Sequence, residues 1–416
     1  MAGRSAQGAG NLRKKTVVKG DKTYTFWEGR LTVGRDPGTG KQVRKSFSGK
    51  TQKEVREAMQ AAAVSVNSGT FVEPSKMTLS KWLDQWLDGL YKQKYSTVKH
   101  YRSMVENHIK PRMGALQLCQ LRKSDFDAFY KYLLTSGKEV SSKDDDGKIT
   151  VSREPLSQKS VKNIHVILKG TISAAVDADI LSVDPMRKVS IPTPPKPEIK
   201  PLTDAQVKAY TAAIADDEMC NILSLILFTG LREAEAMGLT WDCIDFDAGT
   251  LKVKQQLQDR KSDNGGMVIV PTTKNDKIRI LKPAPFVMAI LKRQKTQQLE
   301  ERMRVGELWQ GWQNEEERKT GLVFSNALGL PYRPKTVYQH HKKAAEKIGA
   351  PECTVHDLRH TYAVLSLQNG DSPKTVQGNL GHATAAFTLD VYGHVSETMK
   401  AESSARMEAY IQNIGI

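Results

Sequence analysis

Little in this 416-residue chain points to secretion, disulfide stapling or a membrane. Its four cysteines, Cys119, Cys220, Cys243 and Cys353, lie far apart with no C-x-x-C pair. Neither a disulfide framework nor a zinc module is expected, and a reducing, bacterial-type cytoplasm is the expected location. The longest apolar run, around Ile222–Phe228, is far short of the roughly 20 residues that span a bilayer. The opening segment, MAGRSAQGAGNLRKK, carries charge but no apolar stretch, so no secretory leader is expected. Acidic residues are scarce too: 46 Asp and Glu stand against 62 Lys and Arg, a formal charge of +16. That surplus suits a partner made of phosphates. It is concentrated, with 14 Lys/Arg and 5 Asp/Glu in residues 1–60, which favours a nucleic-acid-binding arm over an evenly solvated surface.

The length exceeds what one core organises, so several domains are expected, mainly α with small β-sheets. Residues 1–12 read as a disordered tip. Residues 13–70 hold three alternating runs, Lys22–Trp27, Arg30–Val33 and Gln42–Phe47, with a turn signal over Asp36–Gly40 between the last two. Thr51-Gln52-Lys53-Glu54 has capping-box spacing and opens a helix towards Gly69. A three-stranded sheet plus a helix is predicted, and such a ribbon fits a DNA major groove. After a linker at 71–76, residues 77–190 read as all-α. Leu79, Trp82, Leu83, Trp86, Leu87 and Leu90 repeat at helical spacing, and a long helix covers about Gln158–Asp179. Lys92, Lys94, Lys99, Lys110 and Arg112 are offered for backbone contacts, and Ser136–Glu154 reads as a mobile insertion. A Pro-rich linker at 191–200 leads to the largest domain, 201–400, mostly helical with a small sheet at Thr250–Val253 and a hairpin over Met267–Leu281. The tail, 401–416, has apolar residues that could pack on its own domain or on a neighbour.

Chemistry concentrates in the largest domain. In Phe228-Thr-Gly-Leu-Arg-Glu-Ala-Glu235, an apolar helix ends at a glycine and presents Arg232. Thr273-Lys274-Asn-Asp-Lys277-Ile-Arg279 places Lys274 at the hairpin tip. His356 and Arg359 fall at i and i+3 of one helix face, and Leu380-Gly-His382 precedes Tyr392.

The ordered set TGLREAE, TKNDKIRIL, HDLRHTYA, NLGH and LDVYGH resembles the tyrosine recombinase (phage integrase) family, and among its members the integrases of temperate phages and conjugative transposons. Ala234 stands where the family commonly has Gly or Ser. The resemblance extends upstream, where residues 77–190 are similar to a core-binding domain and 13–70 to an arm-site DNA-binding domain. It implies a site-specific DNA recombinase that integrates and excises a mobile element through a 3′-phosphotyrosine intermediate, with no metal, ATP or other cofactor. The implied catalytic residues are Arg232, Lys274, His356, Arg359, His382 and the nucleophile Tyr392. The two arginines would clamp the phosphate, His382 would donate to it, His356 would assist proton transfer at the phenol, and Lys274 would protonate the leaving oxygen. Glu235 would buttress Arg232. The implied partners are double-stranded DNA at crossover and arm sites, a homotetramer on DNA, and possible accessories in an excisionase and a host DNA-bending protein.

Plainer readings stand beside these. Arg232 could be a surface residue paired with Glu235, Lys274 one solvated lysine among many with Lys277 as its rival, and Tyr392 one of twelve tyrosines. His356 and His360 at i and i+4 could be metal ligands, but Arg359 between them opposes a dication. At the level of function, the alternatives are a type IB topoisomerase-like nicking and relaxing enzyme, or an inactive DNA-binding repressor with the same fold.

Overall fold

The computed structural model describes residues 11–19, 22–35, 39–67, 76–143, 149–195, 200–260, 266–270, 278–381 and 396–414. They divide into two compact units, 1–196 and 197–416.

The first unit opens with β1 (Asn11–Lys19), β2 (Lys22–Arg35) and β3 (Gln42–Gly49), antiparallel in the order β1-β2-β3, followed by helix α1 (Gln52–Asn67). The predicted runs Lys22–Trp27 and Arg30–Val33 are one continuous strand, and the third strand is Asn11–Lys19 instead. Consecutive cations at Arg13-Lys14-Lys15 hide the alternation that would have marked β1. They are answered across the ladder, where buried Glu28 pairs with Arg13 at 2.7 Å and Lys15 at 3.4 Å. Gly29 keeps β2 close to α1, since a Cβ there would lie 2.2 Å from Met59 Sδ. The capping box forms: Glu54 N donates to Thr51 Oγ1 at 3.3 Å and Thr51 N to Glu54 Oε2 at 3.4 Å.

Helices α2 (Leu79–Asp88), α3 (Tyr95–Met104), α4 (Lys110–Met113), α5 (Lys123–Ser136) and α6 (Gln158–Asp177) follow. Leu79, Leu83 and Leu87 are buried, with Trp82, Trp86 and Leu90 packed against the same core. Trp82 Nε1 donates to the Thr171 carbonyl at 2.8 Å, so the polar end of the stripe is satisfied as well. The expected mobile insertion is instead a two-stranded hairpin, β4 (Lys138–Lys143) with β5 (Ile149–Glu154), because Val140, Ile149 and Val151 give it a strand's alternation. Lys110, offered above for backbone contacts, bridges Asp84 and Glu106, each at 2.6 Å.

The second unit contains α7 (Asp204–Ala213), α8 (Cys220–Thr229), α9 (Glu233–Met237), β6 (Ile244–Asp245), β7 (Thr250–Val253), β8 (Gln256–Asp259), β9 (Met267–Val270) and β10 (Arg279–Leu281). Next come α10 (Pro285–Val305), α11 (Glu315–Thr320), α12 (Pro334–Lys347), α13 (Val355–Gln368), α14 (Pro373–Leu380) and α15 (Ser396–Asn413). Sheet order is β10-β7-β6, and β8 pairs with β9. The predicted hairpin Met267–Leu281 is therefore corrected. Among the described residues its two arms pair with different partners, β9 with β8 and β10 with β7, which an alternating pattern alone does not distinguish. Helix α8 is the spine of this core, buried continuously from Asn221 to Leu227. His341 on α12 belongs to the core as well: it receives the Tyr210 hydroxyl at Nδ1 (2.8 Å) and donates from Nε2 to the Cys353 carbonyl (2.9 Å). Burial lowers its pKa, with the Cys353 carbonyl and Asp357 opposing, so it serves as a neutral, structural imidazole whose two bonds fix its orientation.

Candidate active site

The site begins where α8 stops. Gly230 caps the helix at φ +65°, and a Cβ there would lie 2.4 Å from Tyr362 and 2.6 Å from Leu380. Only glycine meets both demands, the left-handed backbone and the close approach of α13 and α14. The chain then reverses, and Arg232 becomes the N-cap of α9, an extended residue with φ −69° and ψ 148°.

Glu235, three residues on, fixes Arg232 at two points. Its carboxylate accepts the Arg232 backbone N–H at 3.0 Å and Nη1 at 2.7 Å. The same carboxylate accepts Arg279 Nη1 at 3.1 Å and Nη2 at 2.6 Å. Burial alone would raise the Glu235 pKa, but the Arg279 hydrogen bonds and charge, with Arg232 beside them, bring it down to about 2. Glu235 is thus ionised at neutral pH, and one buried carboxylate serves two guanidinium groups, leaving a net positive charge. Arg232 keeps 22% of its side-chain surface open to solvent, so one face of it can still meet an anion.

Arg359 on α13 is held differently. It is 1% exposed and donates Nη1 to the Gly230 carbonyl at 2.5 Å and Nη2 to the Leu380 carbonyl at 2.6 Å. Those carbonyls end α8 and α14, so a cation sits where two helix dipoles point their negative ends. Helix α13 is itself anchored by a capping box between Thr354 and Asp357. His356 lies in its first turn and packs edge-on to His360, centroids 4.8 Å apart at 86°. The His356 ring is open on one side. Partial burial, then His360, Arg359 and Arg232, push its pKa well below the ordinary imidazole value, with Asp357 opposing. It is therefore neutral at pH 7 and can accept a hydrogen bond or a proton.

The structure brings Arg232, His356 and Arg359 into one neighbourhood through α9, α13 and the Gly230 turn. The other three candidates, Lys274, His382 and Tyr392, lie outside the described residues, as does Lys277. Two elements escaped the motif reading: Arg279, and the carbonyls of Gly230 and Leu380 that hold Arg359. Arg279 stands in the quoted TKNDKIRIL segment, and its alternation with Ile278 and Ile280 was the available signal that it faces away from them.

Among known proteins, the phage integrase family model matches residues 196–399, and that for the phage integrase N-terminal SAM-like domain matches 78–134. A tyrosine recombinase XerC-like protein of Caldanaerobacter subterraneus subsp. tengcongensis is 28% identical over 407 residues, covering 94% of this chain and 97% of that protein. The Tn1549 transposon integrase in complex with a circular intermediate DNA superposes with a TM-score of 0.60 at 19% identity, covering 79% of this chain and 99% of that one. A lambda integrase tetramer bound to a Holliday junction gives 0.52 at 19% identity, covering 88% and 93%. At such identities these two structures establish a shared fold.

Proposed function

The chain belongs to the phage integrase family, the tyrosine recombinases, and on that footing we propose that Tyr392 attacks a DNA phosphodiester within a cationic pocket built on Arg232, Arg359 and His382. The observation that carries the reading is the Arg232–Glu235–Arg279 triad beside Arg359 and a neutral His356. The phenol oxygen forms the new bond to phosphorus, the bond to the 5′ oxygen breaks, and the DNA end is left as a 3′-phosphotyrosine. An unperturbed tyrosine phenol ionises only near pH ~10, so such a nucleophile needs a base or a strong field. His356 receives the proton, and an anionic phosphate between the arginines removes part of the field that depresses its basicity. Lys274 returns a proton to the departing oxygen. Guanidinium groups stay charged and bond two oxygens at once, which suits the charge spread over the phosphate. The covalent bond conserves the phosphodiester linkage, so a 5′ hydroxyl of a second duplex can reverse the step onto a new partner without ATP.

The N-terminal sheet, with its basic β1, is proposed to hold arm sites, and residues 77–190 to hold the crossover site. Lys92 over Tyr91 and Lys99 over Tyr95 supply cations with aromatic faces there. A tetramer on DNA is supported by α15, whose Met407 and Tyr410 are each 59% exposed, with Ile414 just past its end 48% exposed. Among the described residues this apolar set is exposed, which suits a neighbouring subunit. An excisionase and a host DNA-bending protein are the accessory partners this reading calls for. The proposed place of action is on DNA in a bacterial cytoplasm; no helix among the described residues is long and apolar enough to cross a membrane.

The test is trapping on a nicked crossover site. Wild type should form a covalent protein–DNA adduct that resists denaturation, and Tyr392→Phe should bind the same DNA without forming it. An adduct in that variant means another nucleophile. Recombination between two sites, assayed beside plasmid relaxation, separates strand exchange from simple nicking and relaxing.

A further inference from the structure

Arg279 is committed through all three nitrogens of its guanidinium. Nε donates to the Asn379 carbonyl at 2.9 Å, while Nη1 and Nη2 grip Glu235 at 3.1 and 2.6 Å. Its side chain is 10% exposed and Glu235 only 1%. Sequence separations of 100 and 44 residues are closed by this one side chain. Each end of the contact abuts a segment with assigned chemistry. Glu235 is the carboxylate that orients Arg232. Asn379 stands three residues before His382, and between them Gly381 turns at φ +65° with its Cβ position 3.2 Å from Arg279 Nη1. Arg279 itself opens β10, five residues after Lys274.

A buried ion pair is a poor way to gain stability, because desolvating both charges offsets much of their attraction and an apolar filling often does as well. What it fixes well is geometry. A planar fork bonded at both tips and at Nε has no rotational freedom left, and a lysine could not reproduce it. Five residues of chain reach about 18 Å at most, so the anchoring of β10 bounds where Lys274 can be.

We infer that Arg279 is a positioning residue that holds the start of β10, five residues after Lys274 in sequence, in register with the Arg232 turn and the end of α14. The inference rests on the reading of Lys274 as the group that protonates the leaving oxygen. Its signature is a defect that depends on the leaving group. A sulfur in place of the bridging 5′ oxygen departs as a thiolate and needs little protonation, as a thiol pKa of about 8.5 implies.

The experiment measures single-turnover adduct formation by the full-length protein and by Arg279→Lys and Arg279→Gln, on nicked sites with a 5′ oxygen or a 5′ bridging sulfur. With oxygen, both variants should slow by about 100-fold while DNA affinity stays within about threefold. With sulfur, most of the loss should vanish, so the sulfur-to-oxygen rate ratio should rise about tenfold or more over wild type. That ratio cancels the fraction of folded molecules, so it remains decisive even where a variant is partly unfolded. A rise of less than about threefold overturns the inference, because Arg279 would then act through the phosphate clamp or the fold alone. If wild type forms no adduct, or Tyr392→Phe keeps it, the proposed chemistry has failed instead.

Discussion

Residues 77–190 close on Leu79, Leu83, Ile109, Phe126, Ile164 and Leu168, and Thr171 is the buried polar residue recorded there. The unit from 197 onward buries Asn221, Glu235, Gln298, His341 and Arg359 along with its aliphatic core. Every one of these is hydrogen-bonded: Asn221 to Gln294 and Gln297, Gln298 to Trp241, and the rest as described above. The first core needs only volume and periodicity. The second carries charges into a low dielectric, where an unpaired one would cost several kcal/mol, so each needs a partner with defined geometry. Preorganised charge is what a developing phosphoryl transition state requires, and the price of that arrangement falls on the domain that contains it.

The contrast can be broken by truncating one side chain in each core. Arg359→Ala should lower adduct formation by about 10²–10³-fold and destabilise by about 3 kcal/mol, since it empties a buried volume and strands the carbonyls of Gly230 and Leu380. Leu83→Ala should cost about 2–5 kcal/mol of stability yet leave adduct formation per folded molecule unchanged. Thermal unfolding beside trapping on a nicked site checks both, and a Leu83→Ala protein that folds fully but cannot cleave would erase the distinction.

A pH series sharpens it. The Glu235 carboxyl is held at about 2 against an ordinary 4.5, so its stabilisation is complete above pH 4.5 and is lost as pH falls towards 2. The stability difference between wild type and Glu235→Gln, followed by denaturant unfolding, should be flat from neutral pH to about 5 and should shrink below that. A difference that stayed constant through this window would mean that the carboxyl titrates alike in the folded and unfolded chain, with no depression by the two arginines.

The smallest effect separates two lysines of the helical unit. Lys110 is tied to Asp84 and Glu106, whereas Lys99 lies over the Tyr95 ring. Lys99→Ala should reduce the salt slope of crossover-site binding by about 1. Lys110→Ala should leave that slope alone and cost about 1 kcal/mol or less in stability. Equal slopes, measured by titration at several salt concentrations, would show that the ion pairs of Lys110 open for DNA.

Local pattern carried a good deal of this. The aliphatic stripe of α2, the capping box of α1, the glycine that ends α8 and the Arg232–Glu235 pair all depend on neighbours within a few residues. The errors have the same root. Three consecutive cations obscure β1 in the sequence, and the partner of two of them, Glu28, sits on the adjacent strand. The β4–β5 hairpin resembles a mobile insertion in sequence because polar residues outnumber its few alternating apolar ones.

What the sequence determined by itself is the periodicity of its helices, the excess of positive charge and the order of its motif residues, since each is fixed by covalent neighbours. What only the tertiary structure decided is which distant groups share a charge or a carbonyl: Arg279 on Glu235 and Asn379, Arg359 on two helix ends, Lys110 on Asp84 as well as Glu106. The reason is that Coulombic and hydrogen-bond energies depend on distance and burial in space. Those follow from how the elements pack, which no local window of residues contains.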